Sequence, residues 1–173
     1  ANENSGKVAF FVEAVVMQMT WPGAPTVYYG DEAGMVGWTD PDNRRSYPWG
    51  KQDWELIEFH KDMIRIHKKY ECFRSGSYKS IASGSHWICY GRFNKKLQAV
   101  ILINNRRETL TVDLPIWQIG ILENACLKRV IQTTQSTYNV GEVMERAEDG
   151  ILHVTVGPQT ASVYIAAKNV EEN

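Results

Sequence analysis

Four charged side chains lie close together in the middle of a long polar segment: Asp40, Asp42, Arg44 and Arg45. Loops longer than about 12–15 residues with no secondary structure of their own are usually either functional or disordered. The segment over residues 31–51 also carries tryptophan and tyrosine side chains, which favour an ordered loop. Binding and catalytic residues are found disproportionately on loops that a rigid scaffold positions, so we interpret the segment as a candidate binding loop.

The elements on the amino-terminal side of this loop must hold it in place. Apolar residues recur at helical spacing along residues 1–20, which predicts a helix that the following Pro-Gly pair ends. Residues 25–29, with the sequence PTVYY, are almost all apolar or aromatic and do not alternate with polar ones. That pattern is typical of a strand that is buried on both faces, as in parallel sheets and barrels.

On the carboxyl-terminal side of the loop, a second helix is predicted over residues 53–70, with Asp53 as its N-cap. His60 and His67 lie seven positions apart on the same side of this helix. Metal ligands on one helix face are normally three or four positions apart. We therefore interpret both histidines as hydrogen-bonded groups at a helix–sheet interface and not as a metal pair.

After residues 72–76 the sequence changes character, and short apolar segments alternate with turns. The candidate strands cover residues 78–82, 86–93, 97–104, 108–114, 128–133, 140–144, 151–156 and 161–166. Several short strands at this spacing predict a sandwich or barrel that is mainly antiparallel. We therefore expect two units, a β/α unit over residues 1–74 and an all-β domain over residues 75–173.

Composition and charge exclude several classes of protein and site. The chain of 173 residues has a formal net charge of −1, without the basic excess that nucleic-acid-binding proteins usually show. No apolar run reaches the ~18 residues of a membrane span. Three widely spaced cysteines argue against a disulfide framework and a zinc site, and favour a reducing, cytoplasmic location. We expect neither a metal nor a cofactor.

Two quoted stretches carry a specific resemblance to a known family. The run PGAPTVYYGDEAGM (residues 22–35), followed by DPDNRR (residues 40–45) and a tryptophan, resembles the eighth strand and following loop of the α-amylase family of glycoside hydrolases. The branch that it most resembles contains neopullulanases, cyclomaltodextrinases and α-glucosidases. The resemblance implies a mixed fold: the end of a (β/α)₈ barrel (helix, last strand, loop, last helix), then an antiparallel β-sandwich carboxyl-terminal domain.

The resemblance also implies a retaining hydrolase of α-glucosidic bonds in α-glucans, maltooligosaccharides or cyclodextrins. In the family the nucleophile lies in an Arg-x-Asp motif, and a third, assisting acid lies in an Asn-His-Asp-type motif. No arginine of this chain is followed two residues later by aspartate, and no histidine is followed directly by aspartate. We therefore assign no catalytic residue and expect an inactive carboxyl-terminal fragment of an enzyme, with any signal peptide upstream of it.

Substrate binding is the role that the resemblance implies for Asp40 and Arg44, because the matching pair in relatives holds a glucose unit. A carboxylate accepts hydrogen bonds from neighbouring sugar hydroxyls, and a guanidinium donates a rigid fork of hydrogen bonds. The alternative is a purely structural ion pair within the loop. Trp38 and Trp49 are similarly ambiguous, because each is suited either to stacking on a sugar or to forming the core of the loop.

Three further interpretations stay open. Asp31 and Glu32 contribute either to a turn or to sugar contacts. The all-β part is either a cap over the last barrel helix or a carbohydrate-binding module, and its aromatic residues are scattered: Tyr78, Trp87, Tyr90 and Trp117. Finally, a strand over residues 25–29 without barrel neighbours has exposed edges, so we expect the chain to self-associate.

Overall fold

The computed structural model describes residues 3–167, in which helices come first and antiparallel strands follow. Helix α1 spans Glu3–Thr20, α2 spans Trp54–Lys69, and the single turn α3 spans Cys72–Ser75. Both predicted helices are therefore present. The first two residues of the helix predicted over residues 1–20 lie outside the described part of the chain.

All eight predicted β segments contain a strand. The strands are β1 (Ser77–Gly84), β2 (Trp87–Phe93), β3 (Leu97–Asn104), β4 (Leu110–Pro115), β5 (Cys126–Thr133), β6 (Tyr138–Arg146), β7 (Ile151–Val156) and β8 (Thr160–Ala167). A 3₁₀ turn over Ile116–Ile119 follows β4. Every described strand pair is antiparallel, as predicted for this half of the chain.

The strands form two sheets. The larger sheet has the order β1-β2-β3-β8-β5-β6, and the smaller sheet pairs β4 with β7. Strand β8, although late in the sequence, therefore lies in the middle of the larger sheet, between β3 and β5. Strands β1 and β6 form the two edges of that sheet.

The larger sheet is the middle layer of three. One of its faces packs against the helices through buried apolar side chains of all these elements: Val16, Phe59, Met63, Ile101 and Val163. Its other face packs against the two-stranded sheet through a second set: Val100, Leu102, Leu114 and Leu152. Because neighbouring residues of a strand point to opposite faces, β3 contributes to both cores. The helices and the larger sheet thus share one core. The division of the chain into two domains, residues 1–74 and 75–173, stays a prediction.

The buried strand predicted over residues 25–29 is absent, which corrects the sequence-based interpretation. These residues have no regular secondary structure, and Tyr28 and Tyr29 are exposed. A strand requires a hydrogen-bonded neighbour, and neither described sheet places one beside this segment. An apolar run of this kind is typical of parallel sheets, whereas the described strands pair only in antiparallel fashion. The end of a barrel therefore stays a prediction.

Side chains from distant parts of the chain hold the carboxyl end of α1. The carbonyl oxygen of Thr20 accepts a hydrogen bond from Arg92 (2.7 Å), and that of Met19 lies 2.8 Å from Nδ1 of His67. The Thr20 hydroxyl lies 2.6 Å from the hydroxyl of Tyr90. Because the last carbonyl groups of a helix have no partner within the helix, these contacts satisfy them and fix the point at which the loop begins.

Candidate functional site

The loop between α1 and α2 is anchored near both of its ends. Near its start, Nε2 of Gln18 donates a hydrogen bond to the carbonyl oxygen of Thr26 (2.6 Å). Near its end, the amide of Asp53 donates to the carbonyl oxygen of Ala33 (3.1 Å). The Asp53 carboxylate accepts a hydrogen bond from the amide of Leu56 (3.0 Å), which confirms Asp53 as the N-cap of α2. These anchors hold the segment that carries the candidate binding residues.

Asp40 and Arg44 form a two-pronged ion pair. Nε of Arg44 donates to Oδ1 of Asp40 (3.1 Å), and Nη2 donates to Oδ2 (2.7 Å). The 3₁₀ turn over Asp42–Arg44 brings the two side chains together. The Arg44 and Asp40 side chains are 67% and 58% exposed, so both are accessible to a ligand in solution. The structure thus brings together the two residues that the sequence singled out.

Asp42 and Arg45 form a second pair with a different role. Nε and Nη2 of Arg45 donate to one carboxylate oxygen of Asp42 (2.9 and 2.7 Å), and the amide of Trp38 donates to the other (3.1 Å). These hydrogen bonds, first of all those from Arg45, lower the pKa of Asp42 below its usual value. The hydroxyl of Tyr29 donates to the carbonyl oxygen of Arg45 (2.9 Å). This pair therefore holds the loop together.

The loop packs closely against itself at Gly37. A Cβ atom at this position would lie 2.7 Å from Cα of Asn43 and 3.1 Å from the carbonyl oxygen of Asp42. Backbone atoms cannot yield as a flexible side chain can, so a residue larger than glycine would push the two halves of the loop apart. The position of the Asp40–Arg44 pair thus depends on a close backbone approach beside it.

Several aromatic side chains of the same loop are exposed. Trp38 and Trp49 are 83% and 80% exposed, which answers the question left open by the sequence, because neither forms the core of the loop. The ring of Tyr47 lies 4.6 Å from that of Trp49. Sequence reasoning missed Trp54, which is also exposed, because it was counted as the start of a helix and not as part of the surface.

Asp31 and Glu32 belong to a turn. The amide of Gly30 donates a hydrogen bond to Oε2 of Glu32 (2.9 Å), and the residues form a 3₁₀ turn over Asp31–Ala33. Burial, followed by repulsion from the Glu32 carboxylate, raises the pKa of Asp31. These contacts favour the interpretation of Asp31 and Glu32 as turn residues over that of sugar contacts.

The two histidines of α2 are hydrogen-bonded to the backbone. Nδ1 of His60 lies 2.8 Å from the carbonyl oxygen of Leu56, and His67 contacts the end of α1. Within residues 3–167, no group of three or more His, Cys, Asp or Glu side chains is arranged to hold a metal ion. Across the same part of the chain, no helix has the length and apolar character needed to cross a membrane.

The four aromatic residues of the β part do not form a joint surface. Tyr90 is fully buried and packs against Trp21 and Tyr78, with ring centroids 5.2 and 5.6 Å away. Trp87 is half-buried in the second apolar core. Trp117 is 60% exposed and Tyr78 is 37% exposed, whereas Trp87 and Tyr90 lie in packed positions on β2.

Named relatives of the chain are enzymes that are much longer than it is. Neopullulanase 2 of Thermoactinomyces vulgaris is 36% identical over 119 residues, which is 66% of this chain and 20% of that protein. Cyclomaltodextrinase of Thermoanaerobacter pseudethanolicus is 36% identical over 72% of this chain and 22% of that protein. An amylopullulanase of Thermoanaerobacter thermohydrosulfuricus is 39% identical over 79 residues, only 5% of its length. No protein-family model matches the sequence.

Solved structures match nearly the whole chain. The α-amylase of Geobacillus thermoleovorans, solved in complex with acarbose, superposes with a TM-score of 0.79 at 26% identity over 94% of this chain and 34% of that one. An Anoxybacillus α-amylase superposes with a TM-score of 0.77 at 27% identity over 92% of this chain and 32% of that one. Both the helical and the β parts of the chain are therefore covered by the matches.

Proposed function

The chain is homologous to a carboxyl-terminal region of α-amylase-family enzymes, and from this premise we propose a role in a retaining hydrolase of α-glucosidic bonds. The substrates of the parent enzyme are α-glucans, maltooligosaccharides or cyclodextrins. Within that enzyme, the loop that carries Asp40 and Arg44 holds one glucose unit, and the β-sandwich covers the helices. The chain on its own contains no catalytic residue and does not turn over substrate.

The exposed Asp40–Arg44 pair is the observation that carries this proposal. Each carboxylate oxygen accepts one hydrogen bond from Arg44, so each has a further lone pair for a sugar hydroxyl. Arg44 uses Nε and Nη2 in the pair, and Nη1 supplies further N–H donors in the same plane. An ion pair this exposed contributes only about 0–1 kcal/mol to stability, which makes a purely structural role a weak reason for the arrangement.

The aromatic surface around the pair supports a sugar ligand. Trp38 and Trp49, in the same loop as the pair, expose large apolar faces, and a pyranose ring presents an apolar face of C–H groups together with its hydroxyls. Binding sites typically combine apolar walls with a few polar groups that fix the orientation of the ligand. A glucose unit bound between the ion pair and an indole would have both an apolar wall and polar groups that fix its orientation.

The β-sandwich acts as a cap in this proposal. Its larger sheet contributes one whole face to the core that it shares with α1 and α2, so it shields helix surface that is otherwise exposed. The alternative is a carbohydrate-binding module. A surface for binding glucan needs several exposed aromatic groups together, whereas of Tyr78, Trp87, Tyr90 and Trp117 only Trp117 is more than half exposed.

A titration of the chain with maltoheptaose, followed by two-dimensional amide and indole NMR, tests the binding role. We expect saturable shifts confined to residues 38–49. In Asp40→Asn and in Arg44→Gln the affinity falls by roughly tenfold or more, because a charge-assisted hydrogen bond contributes about 1.5–3 kcal/mol. The matched control is Glu58→Gln, which removes an ion pair of similar exposure on α2, to Lys61 at 2.7 Å. It leaves the affinity unchanged.

The proposal fails if Asp40→Asn binds maltoheptaose as tightly as the unchanged chain does. Shifts of the Trp87 or Trp117 indole signals in place of the loop signals support the binding-module alternative. The inactivity of the chain is tested separately, by measuring glucose release from maltoheptaose and from p-nitrophenyl α-glucoside. Turnover that persists in purified protein, at a rate proportional to its concentration, contradicts that part of the proposal.

A further inference from the structure

A groove of about 270 Å³ lies between α1 and the adjoining ends of β2 and β3, away from the loop described above. Its walls are mostly apolar and are formed by Met17, Trp87, Ile88 and Ile103. The backbone after β3 contributes Asn105 to its rim. The volume accommodates one long side chain, but it is too small for an oligosaccharide.

Glu13 lines this groove and is 97% buried, since only 3% of its surface is accessible. Neither carboxylate oxygen has a hydrogen-bond partner among the described residues. Burial raises the pKa of Glu13 to about 8. A buried carboxyl group without a partner is costly, and native proteins usually pair or hydrogen-bond such a group. The carboxyl group of Glu13 therefore lacks the hydrogen-bond donor that a buried carboxyl group usually has.

The geometry of the site selects the kind of donor. Two free oxygens on one carboxylate match the two parallel N–H groups of a guanidinium, which forms bidentate pairs with carboxylates. The apolar walls suit the aliphatic stem of an arginine side chain. A metal ion is a poor match, because no third acidic, histidine or cysteine ligand adjoins Glu13 within residues 3–167.

We infer that the groove between α1 and the β2–β3 end of the sheet is a docking site for an arginine side chain of another polypeptide segment, with Glu13 as its carboxylate partner. The segment lies against the surface between α1 and the sheet and inserts one arginine. This inference does not depend on sugar binding by the loop.

Charged groups of the chain itself lie near the groove and must be considered. His86 lines the same groove from the turn between β1 and β2. Arg106 and Arg107 line a neighbouring cavity that shares His86 and Trp87 with it. Arg106 is already bonded to Glu108 (2.9 Å). Arg107 is therefore the arginine of the chain whose removal needs to be tested.

The experiment titrates the full chain with N-acetyl-arginine methylamide and with its neutral isostere, N-acetyl-citrulline methylamide. The readouts are the Trp87 indole shift and the ¹³C carboxyl shift of Glu13. We expect saturation by the arginine compound at low millimolar concentration, as for a single anchoring side chain of about 4 kcal/mol. The citrulline compound does not saturate. At saturating arginine compound, the pKa of Glu13 falls by at least about one unit.

Two variants complete the test. Glu13→Gln keeps the shape of the side chain and weakens the arginine compound by at least about tenfold. Arg107→Gln leaves both the affinity and the Glu13 titration unchanged. The inference is overturned if citrulline binds as well as arginine, if Glu13→Gln binds normally while its amide spectrum is otherwise native, or if Arg107→Gln alone changes the Glu13 titration. The last result means that Arg107 of the same chain, and not another segment, pairs with Glu13.

Discussion

A single carboxylate, that of Asp53, sets the start of the helix that follows the binding loop. Its Oδ1 accepts the hydrogen bond from the Leu56 amide, one of the donors that a helix leaves unpaired at its amino end. We expect Asp53→Ala to lower the free energy of unfolding by about 1 kcal/mol, and Asp53→Asn to change it little, because asparagine caps equally well. Urea unfolding of the three proteins measures both effects. Equal losses in both variants contradict a capping role.

Glu13 gives the chain a predictable dependence of stability on pH. Its pKa is about 8 in the folded chain and close to 4.5 when the side chain is in water. Between those two values the unfolded chain is ionised and the folded chain is not, so stability falls as the pH rises from about 4.5 to 8 and then levels off. Below about pH 4.5 Glu13 is protonated in both the folded and the unfolded chain, so it does not make stability depend on pH there.

Glu13→Gln removes this effect, because glutamine cannot ionise. We expect the variant and the unchanged chain to be about equally stable at pH 4.5. At pH 8.5 the variant is more stable by about 1–3 kcal/mol, a range that allows for partial access of water to the groove. Urea unfolding at both pH values measures the difference. A difference that is independent of pH contradicts a buried, unpaired Glu13.

At the scale of elements, Arg92 on β2 connects three parts of the fold. Its Nη1 donates to the carbonyl oxygen of Thr20 at the end of α1, and its Nη2 donates to those of Phe73 (3.1 Å) and Gly76 (3.0 Å). Arg92 is fully buried, and burial lowers the pKa of its guanidinium. Each of these carbonyls would lose its donor if the guanidinium were removed.

We expect Arg92→Met to lower the free energy of unfolding by about 2–4 kcal/mol, since methionine fills similar space but leaves these buried acceptors unpaired. The matched control is Arg106→Met, which removes one partly exposed ion pair and costs less than about 1 kcal/mol. Chemical denaturation of both variants compares the two costs. A small loss for Arg92→Met indicates that water replaces the guanidinium at the end of α1.

Elements with local signals could be predicted from the sequence, whereas contacts between them could not. Strands β3 and β7 have the predicted bounds, because their apolar patterns and flanking turns are short-range features. The strand over residues 25–29 was wrong because a strand is defined by neighbours that its own residues do not specify. The hydrogen bond from Arg92 to the carbonyl oxygen of Thr20 joins residues 72 positions apart, and no local sequence pattern predicts it.

The candidate site shows the same division. The resemblance to the α-amylase family singled out Asp40 and Arg44, and a 3₁₀ turn is local enough to bring them together. The sequence did not reveal that Trp38 and Trp49 are exposed, because exposure depends on how the whole loop packs. Glu13 is a single acid within an otherwise apolar part of the first helix, and that pattern does not reveal its burial. Its burial depends on strands that lie more than seventy residues further along the chain.

At the scale of the whole molecule, the exposed aromatic surface determines how the chain behaves in solution. Self-association was predicted from the edges of a strand that is not present, so that reason no longer holds. The exposed side chains of Tyr28, Tyr29, Trp38, Trp49 and Trp54 provide a different reason. Exposed apolar patches larger than a few hundred Å² often mark sites of association.

We expect the weight-average mass in sedimentation velocity to rise over a hundredfold range of protein concentration. Trp49→Ser reduces this rise, because it removes apolar surface from an exposed position. Trp117→Ser is the matched control, since Trp117 is exposed elsewhere and its removal leaves the rise unchanged. A constant monomer mass across the range contradicts self-association through this surface.

The central position of β8 has a consequence for how the protein is made. As the ribosome releases the chain from its amino end, β1 to β3 and β5 to β6 emerge well before the strand that lies between them. Until residues 160–167 leave the exit tunnel, facing edges of both partial sheets are open to wrong partners. A nascent chain stalled before that point is therefore a substrate for chaperones, and the larger sheet is completed only after β8 has emerged.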